Sequence, residues 1–204
     1  MTSNATHDRI AEAFARVPRD PFLPVAERQN ASDNVPLPIG HGQTNSQPST
    51  VADMLRLLDP QPGHTVLDLG SGSGWTSMLL AVLVGPAGRV IGVERHPELV
   101  ETSRAAIDAV TADAPDQETL VEVAIHAAVP GALGLPAEAP FDRILVSAGT
   151  ESLPDELVDQ LALGATMVIP VAGEMLRIIR DGPGADELTI TRHGWYRFVP
   201  LISE

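Results

Sequence analysis

The 204-residue chain contains no cysteine and no lysine, so all 13 of its basic residues are arginine. Without lysine there is no Schiff-base amine and no P-loop lysine; without cysteine there is no thiol nucleophile, disulfide or thiolate metal site. Aromatic residues are scarce, four Phe, two Trp and one Tyr, which leaves few platforms for stacking unpaired bases. Basic charge is outnumbered by 27 acidic residues, giving a formal net charge of -14. Such a surface repels phosphate backbones, so nucleic acid is not an expected partner, and charge of this sign mainly serves solubility. Long apolar runs are missing too. The longest, Met78 to Val84, has seven residues, against about 20 needed to cross a bilayer. The N-terminal stretch carries Asp8, Arg9, Glu12 and Arg16 where an export signal needs an apolar run. The expectation is a soluble, cytoplasmic protein with no membrane partner.

What is present suits one domain spanning residues 1–204, because a chain of this length buries about 70% of its unfolded surface and 44% of its residues are hydrophobic. Ile10, Ala13, Phe14 and Val17 recur at helical spacing until Pro18, which predicts an amphipathic helix over 4–17. From Pro18 to Pro48 six prolines and two glycines interrupt any period, so this part reads as an irregular segment of the kind that carries function when it lies inside a domain. Pro48 then opens a helix to Leu58, with Val51, Met54, Leu55 and Leu58 on one face. These first 60 residues form the N-terminal, substrate-side part, and 61–204 the α/β core.

After Pro60, short apolar runs alternate with helical stretches, the pattern of a doubly wound, mainly parallel α/β sheet. Strands are expected at 65–70, 89–94, 121–126, 142–148 and 166–171, and helices near 74–84, 97–111 and 153–163. Beyond Gly173 strands follow one another directly, at 174–180, 187–192 and 195–201, which predicts antiparallel strands added at the C-terminal end.

The first of these strands runs into Gly70-Ser71-Gly72-Ser73-Gly74 and then a helix, an arrangement that lets a nucleotide-like ligand approach the backbone. The dinucleotide fingerprint fails because its third glycine would be Trp75, which disfavours a hydride-transfer cofactor. The nucleophile elbow fails as well, since neither Ser71 nor Ser73 has a glycine two residues away on both sides. Glu94 closes the second strand, where an acid reaches a ribose diol, and Asp68 lies two residues before the loop, where its charge orients the loop or favours a cation. Adenosine beside a positive centre points to S-adenosylmethionine, with Asp68, Gly70, Ser71, Gly72, Ser73, Gly74 and Glu94 as the candidate cofactor site. Ser71 and Ser73 either bond the cofactor or cap the following helix.

The segment LPIGHGQTNSQP at 37–48 is unlike a linker. Gly40 and Gly42 permit turns, while Gln43, Thr44 and Ser46 supply donors just before a helix start, where anions are favoured. On these residues alone it is either a carboxylate-binding loop or a helix cap provided by Ser46. Six histidines, at 7, 41, 64, 96, 126 and 193, make neither H-x-H nor HExxH, so no metal is expected. His41 lies inside the suspected site as a solvated loop residue, and Trp75 reads as core packing or support for the glycine loop.

The chain resembles the protein-L-isoaspartate O-methyltransferase family over nearly its whole length. The resemblance is carried by Val17-Pro18-Arg19, the 37–48 segment, VLDLGSGSGW at 66–75, VERH at 93–96, FDRILVSAG at 141–149 and RFVPL at 197–201. It implies a Rossmann-like class I methyltransferase that moves a methyl group from S-adenosylmethionine to the free carboxylate of an isoaspartyl residue in damaged proteins or peptides. The ester then collapses to a succinimide, which begins repair. Matched by position, Ser46 is the active-site serine, Gly70, Gly72, Gly74 and Glu94 belong to the cofactor site, and Val199 lies on the substrate side; Gln43 and Thr44 are added as substrate-side candidates from their donor groups. Two departures stand out. Ala128 occupies the place of an acid that contacts the adenine amino group, and Asn45 that of an apolar residue beside the serine. They leave open a relative that methylates aspartate in one dedicated peptide, or a noncatalytic module of the same fold.

Overall fold

The computed structural model describes residues 2–112, 122–184 and 187–202. Helix α1 (Thr2–Arg16) and helix α2 (Pro48–Leu58) bracket the segment expected to be irregular. That segment instead contains short 3-10 turns and a small hairpin, β1 (Leu37–Gly40) with β2 (Gln43–Asn45). Its central residues His41 and Gly42 both have positive φ, 53° and 70°, as the strand twist of a two-residue hairpin favours. Strands of four and three residues are too short to leave a readable period.

The core elements follow in the order β3 (Thr65–Leu69), α3 (Trp75–Val84), β4 (Arg89–Glu94), α4 (Pro97–Ala112), β5 (Val123–Ala127), β6 (Phe141–Val146), α5 (Asp155–Val158), β7 (Leu161–Val171), β8 (Glu174–Arg180) and β9 (Leu188–Trp195). They build a seven-stranded sheet in the order β5-β4-β3-β6-β7-β8-β9. The pairs from β5 through β7 are parallel, and β8 and β9 add antiparallel at one edge, as the loss of intervening helices predicts. The chain reverses its direction of travel across the sheet between β3 and β6, and the carboxyl ends of those strands open a crevice there.

The inner strands are buried on both faces, and their alternation assigns side chains to two layers. Val66, Val90 and Leu145 face a core completed by Ile10 of α1, Met54 and Leu55 of α2, and Leu79 of α3. Leu67, Ile91, Ile144 and Val146 face the other layer, closed by Leu157 and Val158 of α5 and by Leu133 and Leu135. Helix α3 is apolar nearly all round, with eight of its residues buried, which is the composition of a helix enclosed on all sides. Among the described residues, no helix is long and apolar enough to cross a membrane.

Three sequence expectations are corrected. The helix expected at 153–163 shrinks to Asp155–Val158, because Leu161 pairs with Phe141 and starts β7 early. Gly164, at φ 76°, lies between that pair and the next, Arg143 with Thr166, where the register shifts. Tertiary pairing overrides helix propensity at this point. The separate strand expected at 195–201 is absent among the described residues. Strand β9 runs on to Trp195 through Gly194, and the chain then binds Gly149 through Val199 O and Leu201 N, both at 2.8 Å. Strand β5 starts at Val123, while residue 121 lies outside the described residues.

Candidate active site

One cavity at the carboxyl ends of the parallel strands gathers most of the candidate residues. Gln43, Thr44 and Ser46 line it from the hairpin side, Gly70, Ser71, Gly72 and Ser73 from the loop after β3, Glu94 from the end of β4, and Val199 from the C-terminal segment. Its empty space measures about 860 Å³ when the part open to solvent is counted. Asp68 and Gly74 are not among the lining residues.

The glycine loop is tied to the neighbouring strand. The N–H groups of Gly70 and Ser71 both donate to Val93 O, at 2.8 and 3.1 Å. Gly72 N donates to Glu94 Oε2 at 3.0 Å, and His96 N to Glu94 Oε1 at 2.9 Å, so the 5%-exposed carboxylate is held by backbone on both oxygens. Each oxygen keeps acceptor capacity for a ligand hydroxyl. Ser71 Oγ is buried without a hydrogen-bond partner, 3.1 Å from where a Cβ on Gly92 would stand. Gly74 serves the loop differently: at φ 85° it is the N-cap of α3, and a Cβ there would stand 3.1 Å from Ile107 Cδ1 and 3.2 Å from Ser103 Cβ of α4.

Gly92 belongs to the same construction and was not singled out by motif. A Cβ at this position would press on Ile125 Cδ1 and stand 3.0 Å from Ser71 Cβ. A glycine inside a strand is the available signal for such a close approach. Gly92→Ala is expected to cost about 1–3 kcal/mol through overpacking and to weaken S-adenosylhomocysteine binding by moving Ser71. Thermal melting and calorimetric titration of the variant check both effects.

Asp68 lies beneath the loop, fully buried, accepting from Ser77 Oγ at 2.6 Å while its Oδ1 has no partner. Desolvation pushes its pKa up to about 7; the Ser77 bond opposes this and the Glu94 charge adds to it. Between the ordinary carboxylate value and about 7 the folded chain therefore holds a proton that the unfolded chain has released. Stability falls with rising pH across that window, by up to about 1.4 kcal/mol per unit, and levels off above it. Asp68→Asn is expected to remove this slope, so the wild type should lose roughly 2 kcal/mol relative to the variant between about pH 5.5 and pH 7.5. Urea unfolding at both pH values is the measurement, and a pH-independent difference would refute the raised value.

The hairpin side is organised by Arg19, which sequence reasoning noted without a role. Its 5%-exposed guanidinium donates to Asn45 Oδ1 (2.7 Å) and to the carbonyls of Asp33 (3.1 Å), Val35 (2.9 Å), Asn45 (3.0 Å) and Ser46 (2.9 Å). It also lies 5.3 Å from the ring centre of Trp75. Burial lowers its pKa and Asp33 opposes that shift. Asn45 in turn donates to Ser73 Oγ at 2.9 Å. The N-cap of α2 is Gln47, whose side chain makes no cap bond, and Ser49 N is accepted by Asn34 Oδ1 at 3.0 Å. Trp75 supports the loop from below, donating to Val17 O at 3.1 Å and meeting Phe14 edge-on at 5.4 Å. His41 stacks on His96 with ring centres 4.9 Å apart, joining the hairpin tip to the residues after Glu94.

One stretch of the wall is apolar, with Ala128, Ala132, Leu133 and Gly134. Gln160, 4% exposed, fixes it by accepting from Leu135 N (2.8 Å) and donating to Leu133 O (2.8 Å). No spacing in the sequence marks Gln160, whose partners Leu133 and Leu135 lie far away along the chain.

The switch-point crevice, glycine turn and strand-end carboxylate together define a Rossmann-like class I methyltransferase. The profile described as Protein-L-isoaspartate(D-aspartate) O-methyltransferase matches residues 2–204. A Methanopyrus kandleri protein-L-isoaspartate O-methyltransferase is 44% identical over 203 residues, covering 97% of this chain and 84% of its own. That of Aeropyrum pernix is 46% identical over 202 residues, covering 98% and 74%. The fold is similar to that of a Plasmodium falciparum protein described as a protein-L-isoaspartate O-methyltransferase in complex with S-adenosyl-L-homocysteine, with a TM-score of 0.79 at 25% identity over 97% of this chain and 91% of that one. The chain belongs to the protein-L-isoaspartate O-methyltransferase family.

Proposed function

We propose that the protein methylates the free carboxylate of L-isoaspartyl residues in damaged proteins or peptides, using S-adenosylmethionine. The observation that carries this reading is the single cavity into which the Ser46 segment, the glycine loop and Glu94 all open. The residues present fit the cofactor: Glu94 offers a carboxylate to a ribose diol, and Gly70, Ser71, Gly72 and Ser73 line the same cavity from the loop after β3. When bound, S-adenosylmethionine supplies an electrophilic methyl group on a sulfonium.

The substrate carboxylate is already a nucleophile near neutral pH, so no residue has to remove a proton. What the chain provides is orientation and exclusion of water. Ser46, with Gln43 and Thr44 beside it, holds the carboxylate from the hairpin side, while Val199 supports the peptide at the opposite edge. Asp68 steadies the loop from beneath and Ser73 bonds from its rim. The ester produced then closes on the neighbouring backbone nitrogen, expelling methanol and giving the succinimide.

The absence of cysteine and lysine suits this chemistry, which requires neither covalent nucleophile nor lysine base. The net charge of -14 does not draw an anionic substrate in, so capture rests on local donors, and it also argues against nucleic acid as a partner. The cytoplasm, where S-adenosylmethionine is made, is the proposed place of action. Methyl-labelled S-adenosylmethionine incubated with matched isoaspartyl and aspartyl peptides tests the reading. Label on the isoaspartyl peptide alone is expected. Label on the aspartyl peptide instead would make this a modifying enzyme of normal aspartate, and label on neither would overturn the catalytic assignment.

A further inference from the structure

We propose that Arg19 and Asn45 are positioning residues that couple cofactor binding to peptide binding by tying the Ser46 segment to the glycine loop. The inference rests on the functional reading above and goes beyond it, since neither residue is needed for the chemistry itself.

The bond polarity makes the tie directional. Arg19 Nε can only donate, so Asn45 must present Oδ1 to it at 2.7 Å. A flipped amide would set donor against donor. With Oδ1 so committed, Nδ2 faces Ser73 Oγ at 2.9 Å, and the Ser73 hydroxyl hydrogen remains for an acceptor on the cavity side. A second guanidinium nitrogen, Nη2, donates to the carbonyls of both Asn45 and Ser46, so the backbone carrying Ser46 moves with Arg19. The same guanidinium lies against Trp75, the first residue of α3 directly after the glycine loop. Arg19 and Asn45 are each 5% exposed, and a buried, satisfied polar chain transmits displacement because breaking any member leaves an unpaired group. A second contact runs in parallel, Ile39 Cδ1 lying where it would be 3.2 Å from a Cβ on Gly72. A ligand that orders the loop therefore also orders the hairpin, and by linkage the peptide must tighten the cofactor by the same factor.

The test measures isoaspartyl-peptide affinity with and without saturating S-adenosylhomocysteine, by calorimetry, together with the melting temperature of each variant. The wild type is expected to bind peptide about fivefold or more tightly in the presence of S-adenosylhomocysteine. Asn45→Leu removes both bonds and is expected to bring that factor close to one. Asn45→Asp accepts from Arg19 and from the Ser73 hydroxyl, and is expected to retain it. Ser73→Ala cuts the chain at its far end while leaving Arg19–Asn45 intact, and decides the matter if Asn45→Leu does not fold. A wild-type factor of one overturns the proposal. So does a lowered melting temperature with an unchanged factor in Asn45→Leu or, failing that, in Ser73→Ala, which is what a merely structural role gives. Failure of the wild type to bind S-adenosylhomocysteine at all would instead remove the cofactor assignment on which the proposal stands.

Discussion

Replacing Glu94 with alanine is expected to weaken S-adenosylhomocysteine binding by about 10²–10³-fold, the largest loss anticipated for any single cofactor-side substitution. Two effects combine. The ribose hydroxyls lose charge-assisted bonds worth about 1.5–3 kcal/mol each, and Gly72 N and His96 N lose the acceptor that holds the loop in shape. Glu94→Gln separates them, because the amide keeps one acceptor oxygen but sets a donor against the other backbone N–H. It should fall between alanine and wild type. The substitution also reaches Asp68, whose pKa the Glu94 charge raises. Both variants should therefore move the pH-dependent loss of stability to lower pH. Calorimetric titration gives the affinity, and unfolding across pH gives the second signature. An alanine variant that binds S-adenosylhomocysteine within threefold of wild type would remove Glu94 from the cofactor site.

Ser46→Ala is expected to lower kcat by about 10²-fold while leaving S-adenosylhomocysteine affinity within about threefold. The size follows from orientation, since misplacing a reacting group by about 1 Å costs a factor of that order. Charge stabilisation is a poor alternative explanation. The carboxylate loses negative charge as it takes the methyl group, so a donor bonded to it favours the ground state and adds nothing as the reaction proceeds. Peptide KM should rise as well, and Ser46→Thr, which keeps a hydroxyl, should recover part of the rate. Equal losses of cofactor affinity in Ser46→Ala and Glu94→Ala would contradict the division of roles between the hairpin and β4.

The parallel core is legible in the sequence because each strand is a short apolar run closed by a glycine turn or a helix, and the strand ends carry their own chemistry in Gly70–Gly74 and Glu94. Positions whose function depends on distant partners leave no such trace. Gln160 braces a wall built from residues 133–135, and Gly92 makes space for a side chain on another strand's loop. Arg19 is an ordinary arginine in sequence until the hairpin folds back over it. The early start of β7 is hidden for the same reason, since Leu161 fits a helix locally and becomes strand only through Phe141. Residues 37–48 sit between these cases: their composition leaves a carboxylate-binding loop and a helix cap both open, whereas their short hairpin form is visible only in three dimensions.

The two tryptophans occupy opposite environments, Trp75 3% exposed and Trp195 78% exposed. Acrylamide should thus quench the emission of Trp195 and spare that of Trp75. The remaining fluorescence comes from a single indole that begins at the glycine loop, touches Arg19 and borders the cavity. A change in that remaining emission on adding S-adenosylhomocysteine is the expected label-free signal of ligand arrival.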